Sequence, residues 1–280
     1  MEKNKKLSII TINYNNRDGL RKTIESVVSQ TFSDFEYVVI DGGSTDGSVE
    51  VIKEYADRID YWVSERDKGI YNAMNKGAFA AHGEYLLFLN SGDALYEKDV
   101  LQKVFESRPE ADIVSCNLIS DNGKVMPVPQ AVTFEFFIQG TLPHPSTFIK
   151  RELFEKHSYD ERYKISADWE FFMFVLVKLN ASYQALPHIV SVFDTTGISS
   201  TKGMDTKEKE LLVLSMKEIV PPRVMEDYEI YMGQQDSYHR LFHTLQYSSI
   251  FKSVIYSVVV ILLKVVLFNR GWIKEYPVKL

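Results

Sequence analysis

The sequence has 280 residues, which allows one large domain or two small ones at roughly 150 residues per domain. Lys and Arg number 32 and Asp and Glu 38, so the formal net charge of −6 excludes a general nucleic-acid binder, which needs a basic surplus. With 45% apolar and 25% charged residues, the composition is that of a globular protein. The single cysteine, Cys116, excludes a disulfide framework and a cysteine-based zinc site, and its apolar surroundings predict a buried side chain.

Strand-like and helix-like segments alternate along the first hundred residues. This alternation predicts crossover units and a mostly parallel central sheet flanked by helices, an α/β fold. Apolar runs predict strands at 7–12, 35–40, 60–64, 85–89, 112–119, 183–186 and 189–193. Helical spacing of apolar residues predicts helices at 17–30, 47–56, 70–82, 169–179 and 205–219.

Polar segments follow the first four predicted strands, beginning at Asn13, Asp41, Ser64 and Asn90. Ligands of parallel sheets bind beyond the carboxyl ends of the strands, so these segments predict the binding site. In the segment from Asp41 to Gly47, glycines allow close backbone approach, and Ser44 or Thr45 is expected to cap the next helix. The Asp41 carboxylate suits a base or ribose, although the segment also fits a plain strand–turn–helix connection.

Two further carboxylates allow more than one interpretation. Asp93, in Asn90-Ser-Gly-Asp, is either a ligand for a divalent cation shared with phosphates or a solvated turn residue. Asp168 immediately precedes the predicted helix 169–179, so it is an N-cap, a general base, or both.

Five ordered motifs carry a family resemblance. They are Ser8-Ile-Ile-Thr-Ile-Asn-Tyr-Asn, Gln30-Thr-Phe, Val39-Ile-Asp-Gly-Gly-Ser-Thr-Asp-Gly, Glu65-Arg-Asp-Lys-Gly-Ile-Tyr-Asn-Ala-Met-Asn-Lys-Gly and Phe88-Leu-Asn-Ser-Gly-Asp. Together they resemble glycosyltransferase family 2, most closely the bacterial enzymes of exopolysaccharide and colanic-acid-type biosynthesis. Weaker matches at His144-Pro-Ser-Thr-Phe and Ala167-Asp-Trp-Glu-Phe extend the resemblance to about residue 180.

The resemblance implies a GT-A fold and an inverting transfer of sugar from a nucleotide-diphosphate sugar, with Mn²⁺ or Mg²⁺ as cofactor. The implied acceptor is a glycan or a lipid-linked glycan. We accordingly expect a catalytic domain at 1–204, with a nucleotide-sugar half at 1–95 and an acceptor half at 96–204, followed by a helical extension at 205–280.

The resemblance also implies roles for individual residues. Asp93 matches the acidic residue that binds the metal and diphosphate, and Asp168 matches the catalytic base. The acceptor pocket is assigned His144 and Glu170, with a structural histidine and a first-turn carboxylate as the alternatives. The residues implied to bind the nucleotide sugar are Thr11, Asn13, Asp41, Asp67 and Asp93.

The chain departs from the family pattern at two positions. Ser91 stands where the metal motif has its first aspartate, and Gly42 stands where many members have a second consecutive aspartate. The Gln-x-x-Arg-Trp motif of processive synthases does not occur, which favours transfer of one sugar per encounter. Two alternatives are a non-catalytic nucleotide-sugar-binding protein and a methyltransferase, but the latter prefers a Gly-x-Gly loop where this chain has Asn13-Tyr-Asn-Asn.

The segment 250–268 contains one charged residue, Lys264. Three interpretations fit it: a helix on the membrane surface, a buried or oligomer-contact helix, or a true span. The first residues run directly into a strand-like segment without a long apolar region, so we expect a cytoplasmic protein, with peripheral contact at the inner face of the membrane.

We predict that the full-length protein floats with anionic vesicles and that truncation before Ser248 releases it while donor hydrolysis is retained. Apolar burial should persist in high salt, whereas attraction of Lys252 and Arg270 to anionic lipid should weaken. A buried core helix predicts instead that the truncated protein aggregates. Failure of the full-length protein to float at low salt would contradict membrane contact.

Overall fold

The computed structural model describes residues 5–197, 204–231 and 233. The chain divides into two compact units, Met1–Val220 and Pro221–Leu280. In the second unit, the described residues include a helix over 222–231. The predicted segment 250–268 lies outside the described residues.

The predicted α/β class is confirmed in the first unit, where helices pack on a central sheet. The strands are β1 Leu7–Asn13, β2 Phe35–Asp41, β3 Tyr61–Ser64, β4 Tyr85–Phe88, β5 Ala94–Leu95, β6 Ile113–Ser120, β7 Val125–Met126, β8 Thr147–Lys150 and β9 Tyr183–Phe193. The helices are α1 Arg17–Val28, α2 Ser48–Glu54, α3 Ile70–Ala80, α4 Val100–Glu106, α5 Phe134–Gln139, α6 Arg151–Lys156, α7 Ala167–Met173 and α8 Thr206–Ile219.

The sheet has the order β3-β2-β1-β4-β8-β6-β9-β5, with β7 paired to β6. Strands β3, β2, β1 and β4 are parallel to one another. From β8 onward the pairing is mixed, because β8 runs antiparallel to both β4 and β6 whereas β9 is parallel to β6. The strand order reverses at β1, and a crevice for ligands is expected beyond the carboxyl ends there.

Strand β1 is buried along its whole length, because helices cover both faces of the sheet. On one face, Leu7 and Ile9 share a core with Leu20 and Ile24 of α1. On the other face, Ile10 lies against α3, where Gly77 leaves no room for a side chain. Burial on both faces explains the continuous apolar run in the sequence.

Three predicted elements differ in the structure. The strands predicted at 183–186 and 189–193 are the single strand β9, which passes through Pro187 with shifts in its register to β6. The helix predicted at 169–179 begins earlier, at Ala167, and changes to a π-helical turn over Phe174–Lys178. The expected cap by Ser44 or Thr45 is wrong, because α2 begins at Ser48 after Gly47, and Asp46 accepts the Ser48 N–H at 3.1 Å.

Helix α8 packs against α7 within the first unit. Its Glu208 carboxylate is buried, and Oε1 accepts the backbone N–H groups of Lys164, Ile165 and Ser166 at 3.1, 2.8 and 3.0 Å. Ser166 is the N-cap of α7, so a negative charge lies at the positive end of that helix. The boundary predicted at 204/205 stays a prediction, although α8 belongs to the same compact unit as the sheet.

None of the helices within 5–197 and 204–233 combines the length and hydropathy required to cross a bilayer. Cys116 is fully buried in β6, as predicted.

Gly77→Ala should destabilise the protein by about 1–3 kcal/mol, because the added Cβ would overlap Cγ2 of buried Ile10. The clash must outweigh the gain in helix propensity of about 1 kcal/mol that alanine brings. Urea unfolding measures the change in free energy, with Gly140→Ala as the control because nothing lies within 4 Å of that position. An unchanged or increased free energy of unfolding for Gly77→Ala would contradict the tight packing of α3 on β1.

Candidate functional site

The Asp41 carboxylate lies at the tip of β2 and has no solvent exposure. Oδ1 accepts from Nδ2 of Asn13 at 2.8 Å and from Oγ of Ser44 at 2.6 Å. Oδ2 accepts from Oγ of Ser64 at 2.6 Å and from the N–H groups of Gly43 and Ser44 at 3.2 and 2.9 Å. Burial raises the pKa of Asp41, but these hydrogen bonds outweigh it and hold the pKa below its usual value.

Register explains why these groups meet. Asn13 is paired with Asp41 between β1 and β2, and Asp41 is paired with Ser64 between β2 and β3. The side chains at the three strand ends therefore form one row at the carboxyl edge of the parallel sheet.

Two side chains from other loops lie close to the backbone of Gly42. A Cβ at Gly42 would be 3.0 Å from Oδ2 of Asp67 and 3.2 Å from Cδ2 of Tyr14. Oδ1 of Asp67 accepts from Nζ of Lys76 at 2.6 Å, which fixes the carboxylate there. The structure thus brings Asp67 next to the segment after Asp41, while the Tyr14 ring remains 68% exposed.

Asn13 and Thr11 differ in their access to this edge. Asn13 is 4% exposed, and its Oδ1 has no hydrogen-bond partner among the described residues. Thr11 is fully buried two residues deeper in β1, and its Oγ1 accepts from the hydroxyl of Tyr37 at 3.0 Å. The structure brings Asn13 to the edge and leaves Thr11 inside the sheet, so this arrangement does not favour a direct role for Thr11.

Asp93 is 3% exposed, and its Oδ1 accepts the backbone N–H of Asp194 at 2.9 Å. Burial raises the pKa of Asp93 to about 6, and the Asp194 charge adds to this effect, while the Asp194 N–H and His144 oppose it. The Asp194 carboxylate lies against Cα of Gly92, where a Cβ would overlap Oδ2. Gly92 also has a φ of +108°, which residues with a side chain rarely adopt. The backbone conformation and the close approach of Asp194 therefore both require glycine at this position.

Asp168 lies in the first turn of α7 and is 8% exposed. Because α7 begins at Ala167 after its N-cap Ser166, the interpretation of Asp168 as the N-cap is wrong. Its Oδ1 accepts the N–H of Trp169 at 2.9 Å and lies 3.3 Å from the hydroxyl of Tyr71. That hydroxyl has a closer partner, the carbonyl oxygen of Ile165 at 2.5 Å.

His144 connects Asp168 to the turn that carries Asp93. Nδ1 of His144 lies 3.6 Å from Oδ2 of Asp168, and Nε2 lies 3.1 Å from Nδ2 of Asn90. The carbonyl oxygen of Asn90 accepts the N–H of Asp93 at 3.0 Å. The predicted base, Asp168, and the predicted metal-binding residue, Asp93, therefore belong to one chain of contacts.

Glu170 is not part of this chain. Both of its oxygens lie near Nε2 of His157, at 3.0 and 2.9 Å, and the His157 ring stacks on Phe174. Residues two apart on a helix point to different faces, so the side chains of Glu170 and Asp168 lie in different surroundings. The assignment of Glu170 to an acceptor pocket stays a prediction.

Sequence reasoning missed Asp194, Tyr71 and the contact of Asn90 with His144. Asp194 lies 101 residues after Asp93 in a polar segment without a motif, so spacing along the chain gives no signal for their contact.

A family model described as Glycosyl transferase family 2 matches residues 8–174. A glycosyltransferase of Mycobacterium tuberculosis strain H37Rv is 32% identical over 203 residues, which cover 69% of this chain and 77% of that protein. A PGL/p-HBAD biosynthesis glycosyltransferase of Mycobacterium bovis BCG is 33% identical over 172 residues, covering 59% of this chain and 67% of the relative.

Solved structures share the fold at low sequence identity. Residues 1–349 of Staphylococcus aureus TarS, in complex with UDP-GlcNAc, superpose with a TM-score of 0.65 at 20% identity, covering 79% of this chain and 69% of that one. The mannosyltransferase PcManGT of Pyrobaculum calidifontis, in complex with GDP-Man and Mn²⁺, gives a TM-score of 0.54 at 17% identity, covering 69% and 57%. A longer Staphylococcus aureus TarS chain also matches, and this protein covers 36% of the length of that chain.

These likenesses confirm the GT-A fold implied by the sequence, with the carboxyl ends of β1, β2 and β4 forming the edge where the site residues meet. The family model covers well over half of the chain, from the first strand to the helix of Asp168. The protein belongs to glycosyltransferase family 2.

Proposed function

We propose that this protein is an inverting glycosyltransferase that moves one sugar from a nucleotide-diphosphate sugar to a glycan or lipid-linked acceptor. The observation that carries the proposal is the chain of contacts from Asp168 through His144 and Asn90 to the turn of Asp93. It brings a carboxylate suited to proton transfer close to a second carboxylate at the edge of the parallel sheet.

The row of Asn13, Asp41 and Ser64 supports nucleotide binding at this edge. Both oxygens of Asp41 already accept hydrogen bonds, whereas Oδ1 of Asn13 is buried with no partner in the described part of the chain and can accept from a base N–H. Tyr14 presents an exposed aromatic face beside Gly42, and aromatic faces stack on bases. The nucleotide sugars bound by TarS and PcManGT support the same class of donor here.

A divalent metal ion fits the surroundings of Asp93. Mg²⁺ and Mn²⁺ favour oxygen ligands, and Asp194 adds a second carboxylate beside Asp93, where the sequence alone offered one. Within the described residues, no group of three or more His, Cys, Asp or Glu side chains is arranged to hold a metal ion, so two carboxylates would share it with donor phosphates. A bound cation would neutralise the charge of the departing diphosphate.

Asp168 is proposed to take the proton from the attacking acceptor hydroxyl. Inverting displacement requires one such base on the acceptor side. Its Oδ1 is held by the N–H of Trp169, which leaves Oδ2 on the side of His144. The carboxylate is thus held on a helix whose N-terminus Glu208 fixes.

The proposed acceptor class and the proposed single transfer are supported by a relative and by the sequence. The relative named for PGL/p-HBAD biosynthesis supports a biosynthetic transferase, and the missing Gln-x-x-Arg-Trp motif supports single transfer. Family membership argues against a methyltransferase. A non-catalytic binding protein would not need Asp168, so the Asp168→Asn variant distinguishes it from a transferase.

Asp168→Asn should lower the rate of sugar transfer by about 10²–10⁴, because the amide cannot take a proton. Donor binding, measured by calorimetry with nucleotide sugars including UDP-GlcNAc and GDP-mannose, should be retained. Asp205→Asn is the matched control, since this exposed N-cap of α8 tolerates asparagine. Near-normal turnover of Asp168→Asn would contradict the general base.

Asp93→Asn and Asp194→Asn should each weaken Mn²⁺ binding in the presence of UDP by about tenfold or more, because each removes a charged oxygen ligand. Electron paramagnetic resonance of free Mn²⁺ measures the affinity without requiring turnover. Asp57→Asn, at an exposed carboxylate after α2, is the control. Unchanged Mn²⁺ affinity in Asp194→Asn would exclude that residue as a ligand.

A further inference from the structure

His144 is held by a rigid turn between the two halves of the site. The turn His144–Ser146 has a proline on each side of the histidine, which restricts the backbone. Oγ of Ser146 donates to the carbonyl of Cys116 at 2.9 Å, and Oγ1 of Thr147 donates to the carbonyl of Pro143 at 2.8 Å. The imidazole is only 17% exposed, so contacts with the protein, and not with water, fix its position.

The two neighbours of the ring determine where its proton lies. Nδ2 of Asn90 is a donor, so Nε2 of His144 accepts, and a neutral imidazole then carries its hydrogen on Nδ1. The opposite arrangement, with the Asn90 amide turned over and the hydrogen on Nε2, would point the Nδ1 lone pair at the Asp168 carboxylate. Repulsion between that lone pair and the carboxylate oxygen of Asp168 disfavours this arrangement.

We propose that His144 is a positioning residue that orients the Asp168 carboxylate through its Nδ1–H while Asn90 fixes its tautomer. The inference rests on the proposed role of Asp168 as the base. The 3.6 Å separation is longer than a hydrogen bond, as is common for catalytic contacts before substrate binds. Asn90 is in the same turn as Asp93. His144 therefore connects the orientation of the Asp168 carboxylate to the turn that carries the proposed metal-binding residue.

This role differs from the predicted one, in which His144 lines the acceptor pocket. A residue that only contacts the acceptor would affect acceptor KM. A residue that orients the base would affect kcat and leave KM for the donor unchanged, because a misplaced base costs rate at every substrate concentration.

Nitrogen-15 NMR of the full chain measures the tautomer directly. At alkaline pH, long-range proton–nitrogen correlations should show a hydrogen on Nδ1 of His144 and none on Nε2. Loss of these signals in His144→Gln assigns them among the 6 histidines. A protonated Nε2 would overturn the inference, whether or not a substrate is known.

Two amide variants test the role in catalysis. The side-chain nitrogen of asparagine takes the place of Nδ1, and that of glutamine takes the place of Nε2. His144→Asn should therefore keep more of the wild-type kcat than His144→Gln, measured as release of UDP from UDP-GlcNAc or of GDP from GDP-mannose. His144→Gln should lower kcat by about 10²-fold with donor KM unchanged.

Equal activity of the two variants would overturn the positioning role, because a purely packing residue does not distinguish which nitrogen is retained. Asp168→Asn, measured in parallel, separates the two proposals. If Asp168→Asn is inactive while both His144 variants turn over normally, the base stands and the positioning role fails. If Asp168→Asn is fully active, the proposed function of Asp168 fails, and the NMR result still decides the tautomer.

Discussion

The buried charge of Asp41 is the constraint on which the carboxyl edge of the parallel strands depends. A carboxylate removed from water is costly unless hydrogen bonds replace its hydration, and here five of them do. They come from the ends of β1 and β3 and from the turn after β2, so the register of the parallel strands and the shape of the turn satisfy the same charge. A slip of one residue between β1 and β2 would turn Asn13 to the other face and leave Asp41 without that partner.

The part of the structure that carries His144 and Asp168 is held by contacts that are distant along the chain. Strand β8 joins the parallel half of the sheet to β6, and the turn that precedes it carries His144. Helix α7 carries Asp168, and its N-terminus is held by Glu208, 42 residues after Ser166. Helix α8 is therefore needed to hold the start of α7, which carries the proposed base, and a chain cut before α8 would lose the anion there.

The elements that depend on local patterns could be predicted, and those that depend on distant contacts could not. Burial on both faces gave β1 and β2 continuous apolar runs, so their bounds agree with the structure within one residue. Strand β8 has four residues and follows a turn, and its pairing with β4 and β6 is visible only in three dimensions. The strands predicted at 183–186 and 189–193 are one strand, because the carbonyl of Pro187 accepts from Nδ2 of Asn117 and the irregular register accommodates the proline within β9.

The two departures from the family pattern have a common physical explanation. Gly42 lacks the carboxylate that many relatives have there, and Oδ2 of Asp67 lies where its Cβ would point. Ser91 lacks the first carboxylate of the metal motif, and Asp194 reaches the same turn from the end of β9, against Gly92. In both cases, glycine leaves space that a carboxylate from another loop occupies, so negative charge is kept at the site although its position in the sequence differs. Reading the motif alone therefore undercounts the acidic groups, because electrostatics depends on distance in space and not on spacing along the chain.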